Sequence, residues 1–345
     1  MNERMMDNVN IGIVGCGMVA RYHAKAIADT PHARLLGACS KSLASTAQFC
    51  NEFPGSEVYA RYDEMLANRQ IDAIAICSPS GNHYSQALQA LVAHKHVIVE
   101  KPLCITLEDA DHLIRMAHDK DLCLCVISQS RFSDSATAIK QAIDNGELGR
   151  PVSASLMMRY LRNQNYYDQA DWRGTYAHDG GGVLMNQGIH GIDLLCYFMG
   201  KPKSVMGYVK TILRNIEGED TAVAAIEFES GAVAVIDTTV CSQPAFAKKF
   251  ILSGEKGTII LENDSITLWG LPSPSPVNSV KAVGGSSSAD ARGITHLYHA
   301  REYRNFADHL IKGSSLLIDG NQGRVPLSVI LGIYESSASG KKVQL

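Results

Sequence analysis

The chain has 345 residues, 46% of them hydrophobic, which is enough for a large core and, at roughly 100–200 residues per domain, for two domains. Its 32 Lys and Arg against 35 Asp and Glu give a net charge of −3, which argues against general nucleic-acid binding through a basic surface. The sequence has no apolar run of membrane-spanning length, no secretory signal in its polar first ten residues and no CxxC pair among its nine cysteines. We therefore expect a cytoplasmic protein with reduced cysteines.

Short β-branched segments alternate with helical segments through residues 1–129. We predict strands at 9–14, 34–39, 71–77, 96–100 and 122–128, and helices at 19–29, 43–52, 62–67, 83–93 and 107–119. Strands that are separated by helices of crossover length form parallel sheets, and these strands are apolar on both faces. Residues 1–129 are therefore predicted to be an α/β domain of the Rossmann type, with a doubly wound parallel sheet.

The pattern changes near residue 130. We predict helices at 136–145, 188–199, 300–312 and 326–337, and strands at 152–160, 205–213, 222–228, 232–239, 250–253, 258–261 and 265–268. Sequential strands with short turns indicate an antiparallel sheet, and the segment 272–293 is typical of a long loop. Residues 130–345 are predicted to be an α+β substrate-binding and oligomerisation domain with a large, mostly antiparallel open sheet flanked by helices. Its last helix could pack back on the first domain.

A Gly-x-Gly-x-x-Ala turn joins the first predicted strand to the first helix. Gly15 permits the tight turn, Gly17 lets the main chain approach a pyrophosphate, and Ala20 allows the helix to pack against the strand. The start of the helix supplies free N–H groups for the phosphates. The motif in this strand–turn–helix context predicts dinucleotide binding by Gly15, Cys16, Gly17, Met18, Val19 and Ala20. A purely structural turn is the alternative.

The end of the second predicted strand reads Cys39-Ser40-Lys41-Ser42. Sites that prefer NAD carry an acid here, which accepts hydrogen bonds from the ribose 2′-hydroxyl. Ser40 has no charge that would repel a 2′-phosphate, and the Lys41 ammonium can pair with one. We therefore expect both residues to contact the cofactor and NADP to be favoured over NAD. If Lys41 is only a solvated surface lysine, the site tolerates both.

Four further motifs extend the pattern over nearly the whole chain. They are Ser78-Pro79-Ser80-Gly81-Asn82-His83, Glu100-Lys101-Pro102, Asp179-Gly180-Gly181-Gly182 and Asn186-Gln187-Gly188-Ile189-His190-Gly191-Ile192-Asp193. With the glycine turn, they resemble the Gfo/Idh/MocA family of glucose–fructose oxidoreductase and inositol dehydrogenase relatives, and within it the UDP-N-acetylglucosaminuronate dehydrogenase branch. The resemblance implies an NAD(P)-dependent dehydrogenase acting on CH–OH groups. It also implies that the cofactor contacts include Ser78, Pro79, Asn82, His83, Glu100, Lys101, Gln129, Trp172 and Arg173.

Lys101 and His190 are the candidate catalytic residues. Lys101 follows a buried strand at the carboxyl edge, where open α/β sheets bind ligands, and its ammonium can donate to the reacting oxygen. A plain ion pair with Glu100 is the alternative. A histidine titrates near neutral pH, so His190 can accept the hydroxyl proton as hydride leaves the carbon.

Asn186, His190 and Asp193 are spaced to share one face of a predicted helix. Asn186 and Asp193 are therefore candidate substrate ligands. Family members similar to inositol dehydrogenases have an aspartate at the position of Asn186, and its loss shifts more of the acid–base role to His190. His190 and Asp193 alone supply two metal ligands, so no metal site is expected.

Three more residues are candidate substrate contacts. Arg159 and Tyr160 begin a segment dense in aromatic and hydrogen-bonding groups, which suits sugar rings and anionic groups, although a solvated loop or an oligomer contact has the same composition. His299, four residues before Tyr303, resembles a family position that often reaches the sugar. An ordinary surface helix is the alternative.

The predicted activity is hydride transfer between a nicotinamide and a secondary alcohol or ketone of a sugar, sugar acid, sugar nucleotide or inositol. Two alternatives stay open: a non-redox, NAD-retaining glycosidase-like enzyme, and a non-catalytic sugar or cofactor sensor. The expected partner is a small carbohydrate or polyol, with no nucleic acid and no membrane. Family members commonly pair their sheets face to face, which implies a homodimer or homotetramer.

Overall fold

The computed structural model describes residues 7–275 and 296–345. The chain divides into two compact units, the first formed by Met1–Gln129 with His296–Arg324, and the second by Ser130–Thr295 with Val325–Leu345. The sequence-based boundary assigned 296–324 to the second domain. The structure instead gives this segment to the first unit, because helix α9 (Leu297–Lys312) packs against α1 (Met18–Ala28). The predicted loop 272–293 lies, from residue 276 onward, outside the described residues.

The first unit is built on a six-stranded parallel sheet, which confirms the predicted fold class. Its strands are β1 (Val9–Val14), β2 (Ala33–Cys39), β3 (Glu57–Tyr59), β4 (Ala73–Ile76), β5 (His96–Val99) and β6 (Leu124–Val126), in the spatial order β3-β2-β1-β4-β5-β6. Besides α1 and α9, its helices are α2 (Leu43–Glu52), α3 (Tyr62–Ala67), α4 (His83–Val92) and α5 (Leu107–Asp119). Strands β1, β4, β5 and β6 are almost wholly buried, as their apolar sequences require, whereas the edge strand β3 is largely exposed.

The strand order of this sheet reverses between β1 and β4, which pair in parallel. Open α/β sheets bind ligands outside the carboxyl ends of their strands at such a point. Gly15 follows β1, Ser78 follows β4 and Glu100 follows β5. The predicted cofactor residues of the first unit therefore lie along one edge of the sheet.

The second unit contains an eight-stranded, mostly antiparallel sheet, again as predicted. Its strands are β7 (Pro151–Arg159), β8 (Pro202–Lys210), β9 (Thr221–Phe228), β10 (Val233–Thr239), β11 (Lys249–Gly254), β12 (Gly257–Glu262), β13 (Ser265–Gly270) and β14 (Val343–Gln344). The spatial order is β13-β12-β11-β7-β10-β9-β8-β14. β7 is inserted in the middle and pairs in parallel with β10, so the strands after residue 200 do not form one continuous meander.

The helices of this half of the chain are α6 (Asp134–Asp144), α7 (Gln164–Asp168) and α8 (Ile189–Met199), and α10 (Gly320–Ser339) precedes the final strand. A turn of π-helix, Leu184–Gly188, leads directly into α8. π-turns are rare and are often found at functional sites. Among the described residues, no helix combines the length and apolarity needed to span a bilayer.

Candidate active site

The glycine turn after β1 has the geometry that its sequence predicts. Gly15 has a φ of +92°, and a Cβ there would lie 2.7 Å from the backbone nitrogen of Ser78. A Cβ at Gly17 would meet no described atom within 4 Å. Ala20 is fully buried. The turn thus needs glycine at 15 for its conformation, and at 17 it leaves open space beside the start of α1, where a pyrophosphate fits.

Several side chains surround the glycine turn and the open space beside it. Met18 and Val19 are exposed at the start of α1, and Cys16 is half-buried, with its pKa raised by burial. Arg21 Nη1 donates to the carbonyl oxygen of Gly17 at 3.1 Å, and Arg21 Nε donates to Glu52 at 2.6 Å. The sequence analysis did not select Arg21, although its position one residue after the motif was a usable signal.

The end of β2 carries a hydroxyl and an ammonium group. Ser40 Oγ lies 3.0 Å from the carbonyl oxygen of Ser42 and 2.9 Å from Thr46 Oγ1, which fixes the loop. Ser42 caps α2 by accepting from the backbone nitrogen of Ser45. Lys41 is exposed. The loop therefore offers a cation where NAD-preferring sites offer a carboxylate.

His83 was predicted to contact the cofactor, but its ring contacts the main chain of the protein instead. Its ring is buried, with Nδ1 2.7 Å from the carbonyl oxygen of Pro102 and Nε2 2.9 Å from that of Ser78. Burial lowers the pKa of this imidazole. His83 thus joins the turn after β4 to the segment after β5, with Pro79 and the short helix Ser80–Asn82 between Ser78 and α4.

Glu100 is also held inside the first unit. Its carboxylate accepts from the backbone nitrogen of Lys101 at 3.1 Å and lies 2.9 Å from Nε2 of His23. His299 Nε2 lies 3.8 Å from Glu100 Oε1. Burial alone would raise the pKa of Glu100, but the hydrogen bond from His23 and the proximity of His299 and Lys101 outweigh it and hold the pKa well below its usual range. The carboxylate is therefore engaged by the protein rather than presented to a cofactor.

His299 and Tyr303 belong to the same cluster. His299 is 3% exposed, which differs from the predicted substrate contact, and burial lowers its pKa. Tyr303 is fully buried, and its hydroxyl lies 2.7 Å from His23 Nδ1. Within the described residues, His23, Glu100 and His299 form a set of three potential metal ligands, with donor atoms within 4.8 Å of one another. Local spacing could not reveal this set, because its members lie far apart in the chain.

Lys101 and Gln129 complete the residues at this edge of the first unit. Lys101 is half-buried two residues after the end of β5. The Gln129 side-chain oxygen is buried and has no hydrogen-bond partner among the described residues. A buried acceptor of this kind needs a donor, which a bound ligand can supply. The orphaned oxygen and the open space at Gly17 both fit a dinucleotide.

In the second unit, Asn186 and Asp193 bond to different side chains. Asn186 Nδ2 donates to the carboxylate of Asp179 at 3.0 Å, while the Asp193 carboxylate accepts two bonds from Arg131, at 2.6 and 2.9 Å. Asp193 is buried in this bidentate pair, so it is not presented to substrate as expected. His190 is half-buried on the first turn of α8.

The remaining candidates of the second unit have mainly internal partners. Arg159 pairs with Asp237, with its Nε at 3.0 Å, and Tyr160 is buried, with its pKa raised by burial. Arg173 Nη1 donates to the carbonyl oxygen of Tyr166 at 2.6 Å and stacks 4.3 Å from the Tyr166 ring. Trp172 is half-buried beside it. The burial of Tyr160 is contrary to the predicted sugar contact.

Comparison with known proteins matches both halves of the chain. Residues 9–128 match the model "Oxidoreductase family, NAD-binding Rossmann fold", and residues 136–260 match the "GFO/IDH/MocA C-terminal domain". The structure is similar to that of the WlbA dehydrogenase from Bordetella pertussis in complex with NADH and UDP-GlcNAcA. The TM-score is 0.87 and the identity 30%, with 98% of this chain and 99% of the other covered.

Two curated relatives are similar over their full length. The myo-inositol 2-dehydrogenase of Thermotoga maritima is 25% identical, with 98% of each chain covered. The NADP(+)-dependent scyllo-inositol 2-dehydrogenase IolW of Bacillus subtilis is 25% identical, with 99% of this chain and 98% of the relative covered. Together with the glycine turn and the Glu100-Lys101-Pro102 segment, these matches show that the chain is an oxidoreductase of the Gfo/Idh/MocA family, with an NAD-binding Rossmann domain.

Proposed function

We propose that this enzyme oxidises a secondary alcohol, or reduces the matching ketone, of a sugar, sugar acid, sugar nucleotide or inositol. The main support is that the glycine turn and Lys101 lie at the carboxyl edge of the same parallel sheet, on either side of the point where its order reverses. Relatives that are named for inositols, and a structural neighbour that holds a sugar nucleotide, support the substrate class.

The residues that would hold the dinucleotide in the first unit are the turn 15–20, Ser40, Lys41, the segment 78–82 and Gln129. The nicotinamide, when bound, supplies the hydride acceptor or donor. We propose a preference for NADP, because the Lys41 ammonium can pair with a 2′-phosphate. Fluorescence titration should give a lower Kd for NADPH than for NADH, and Lys41→Ala should weaken NADPH binding by about three- to tenfold while sparing NADH. Equal Kd values for the two cofactors would remove the preference.

Lys101 and His190 are proposed to carry the proton chemistry. The Lys101 ammonium would donate a hydrogen bond to the substrate oxygen and stabilise the negative charge that develops there as the carbon is oxidised. A ring nitrogen of His190 would take the hydroxyl proton, and in the reverse direction would return it to the alkoxide. Trp172 and Arg173 are proposed to line the bound ligands, and Asn186 and Arg159 to contact the sugar.

Turnover of a polyol and sugar-nucleotide panel, followed by nicotinamide absorbance, tests these roles. Lys101→Ala and His190→Ala should each lower kcat by about 10²–10⁴-fold, with the Kd for NADH unchanged. Lys25→Ala and His118→Ala are matched controls, because both side chains are exposed on helices of the first unit. Near-normal kcat in either active-site variant would contradict its assigned role.

One face of the second sheet favours a homo-oligomer. Tyr208 and Val223 are exposed and directly opposed across β8 and β9, and exposed Val235 extends the patch on β10. Contiguous exposed apolar surface of this kind marks an interaction site, and a second copy would cover it by twofold symmetry. Val235→Lys should shift the sedimentation coefficient toward that of the monomer. A wild-type monomer would contradict the proposal.

We also propose a cytoplasmic location, in which the nine cysteines stay free.

A further inference from the structure

A buried hydrogen-bond chain ends at the main chain of the proposed catalytic lysine. It runs from the Tyr303 hydroxyl to His23 Nδ1 at 2.7 Å, from His23 Nε2 to Glu100 Oε1 at 2.9 Å, and from the backbone nitrogen of Lys101 to Glu100 Oε2 at 3.1 Å. Tyr303 and His23 are at most 1% exposed and Glu100 is 8% exposed. None of the three was needed to describe the chemistry at the substrate carbon.

The direction of each hydrogen bond follows from the chemistry of the groups. An ionised carboxylate accepts only, so His23 presents Nε2–H and Lys101 its backbone N–H to Glu100. The Nδ1 lone pair of His23 is then matched by the O–H of Tyr303. In this arrangement every donor of the chain is used once, which a buried polar network requires.

The other side of Lys101 is fixed in a similar way. The Nδ1 atom of buried His83 contacts the carbonyl oxygen of Pro102 at 2.7 Å, and its Nε2 contacts the carbonyl oxygen of Ser78 at 2.9 Å. Side-chain hydrogen bonds therefore hold the main chain both before and after Lys101. A displacement of about 1 Å in a catalytic group can cost on the order of 10²-fold in rate.

We propose that Tyr303, His23 and Glu100 act as positioning residues that fix the orientation of Lys101 for catalysis. The proposal rests on the catalytic role proposed for Lys101. It assigns a function to α9, since Tyr303 on this helix acts on a segment that follows β5 about 200 residues earlier in the sequence.

A metal ion is the competing explanation for the same side chains, because His23, Glu100 and His299 offer three ligand atoms. The distance of 2.9 Å between His23 Nε2 and Glu100 Oε1 is that of a hydrogen bond. In the tautomer that Tyr303 and Glu100 select, His23 Nε2 carries a proton and therefore has no lone pair for a metal. Hydrogen bonding therefore accounts for the cluster better.

Tyr303→Phe tests the proposal, because it removes one hydroxyl and keeps the ring. Tyr84→Phe is the matched control: the Tyr84 hydroxyl lies 2.8 Å from His112 Nδ1, between α4 and α5 of the same unit. Amide hydrogen exchange of full-length protein, read by NMR at the Lys101 N–H, should speed up by about tenfold in Tyr303→Phe and stay unchanged in Tyr84→Phe. This readout requires no substrate.

The kinetic readout uses the substrate found in the panel. Tyr303→Phe should lower kcat by about three- to tenfold, with the Kd for NADH and the Tm close to wild type. His23→Gln, which keeps a donor for Glu100, should retain more activity than His23→Met. In the His23→Met background, Tyr303→Phe should have no further effect, because the link between Tyr303 and Glu100 is already cut.

The possible outcomes distinguish a failure of the positioning role from a failure of the catalytic role proposed for Lys101. Unchanged Lys101 exchange in Tyr303→Phe, an additive double variant, or one equivalent of tightly bound metal by elemental analysis each overturns the positioning role. If Lys101→Ala has lost turnover while Tyr303→Phe behaves like Tyr84→Phe, only the positioning role fails. Near-normal turnover in Lys101→Ala overturns both.

Discussion

The two units each bury a glutamate, and they surround it with different partners. Glu100 in the first unit faces the side chains of His23 and His299 and the backbone nitrogen of Lys101. Among the described residues, Glu219 in the second unit accepts from neutral groups, which include the backbone nitrogens of Gly182 and Leu184, at 3.0 and 2.7 Å, and the Tyr334 hydroxyl at 3.0 Å.

The pKa values of the two carboxyls move in opposite directions. Burial tends to raise both, but the histidines and Lys101 hold the pKa of Glu100 well below its usual range. Burial raises the pKa of Glu219 to about 7, because the backbone and tyrosine hydrogen bonds offset the loss of solvent only in part. The buried Glu100 carboxylate is thus kept charged by the histidines and Lys101, whereas backbone and hydroxyl donors alone leave Glu219 close to protonation at neutral pH.

Glycine substitutions should give the largest difference between the units. A Cβ at Gly182 would lie 1.9 Å from the carbonyl oxygen of Glu219, whereas a Cβ at Gly17 would meet no described atom within 4 Å. Gly182→Ala should therefore cost about 4 kcal/mol or more in the free energy of unfolding. Gly17→Ala should change it by about 0.5 kcal/mol or less and raise the Kd for NADH by about tenfold, since the methyl group occupies the phosphate space.

Urea unfolding and NADH titration of the two variants check this contrast. Both tryptophans of the chain, Trp172 and Trp269, belong to the second unit, so their fluorescence reports its unfolding. Wild-type stability in Gly182→Ala, or wild-type NADH affinity in Gly17→Ala, would contradict the geometry of the respective segment.

The next largest effect that we expect is the pH dependence of the stability of the second unit. The pKa of Glu219 is raised from 4.5 to about 7 on folding, so the folded state holds a proton that the unfolded state has lost. The stabilisation is present in full below about pH 4.5 and is lost as the pH rises through about 7. At about 1.4 kcal/mol per pH unit, the rise from 4.5 to about 7 amounts to between about 3 and 4 kcal/mol. Tryptophan-detected urea unfolding should show this loss between about pH 4.5 and 7, and Glu219→Gln should remove it.

The contribution of Glu100 to the stability of the first unit should depend on pH in the opposite direction. The pKa of Glu100 is lowered on folding, so its contribution to stability is present above about pH 4.5 and is lost as the pH falls through the lower folded value. Hydrogen exchange of peptides that cover residues 96–104 should therefore accelerate in acid, after correction for intrinsic rates, and less so in Glu100→Gln. Equal acid sensitivity in both proteins would show that Glu100 does not control this segment.

The sequence predicts those features that are local. Alternating strands and helices identify the parallel sheet, and the spacing of Gly15, Gly17 and Ala20 identifies the turn, because each pattern spans only a few consecutive residues. The position of β7 in the middle of the second sheet could not be predicted in this way, because chain order does not fix spatial order.

Contacts between distant residues explain the differences at the candidate site. His23 and Tyr303 are 280 residues apart, so a histidine on the first helix gave no sign of its partner. Asp193 was predicted to face substrate, but Arg131, which lies 62 residues earlier, takes both of its oxygens. The helical spacing used for Asn186 and His190 also assumed a regular α-helix, whereas Leu184–Gly188 is a π-turn.

The smallest effect that we expect is that of Tyr334→Phe on the stability of the second unit, where the role of this tyrosine differs from that of Tyr303. The Tyr334 hydroxyl contacts Glu219 directly, whereas the Tyr303 hydroxyl reaches Glu100 only through His23. Tyr334→Phe removes one hydrogen-bond donor from a carboxyl that is protonated below about pH 7, so it should lower the free energy of unfolding by about 1 kcal/mol. It should also raise the folded-state pKa of Glu219, so that the pH-dependent loss of stability ends above about pH 7, because the lost bond favours the ionised form. Tryptophan-detected unfolding between pH 5 and 9 measures both changes. An upper limit that stays in place would mean that Tyr334 bonds the protonated and ionised carboxyl equally well, and the contrast between the two glutamates would then rest on the histidines and Lys101.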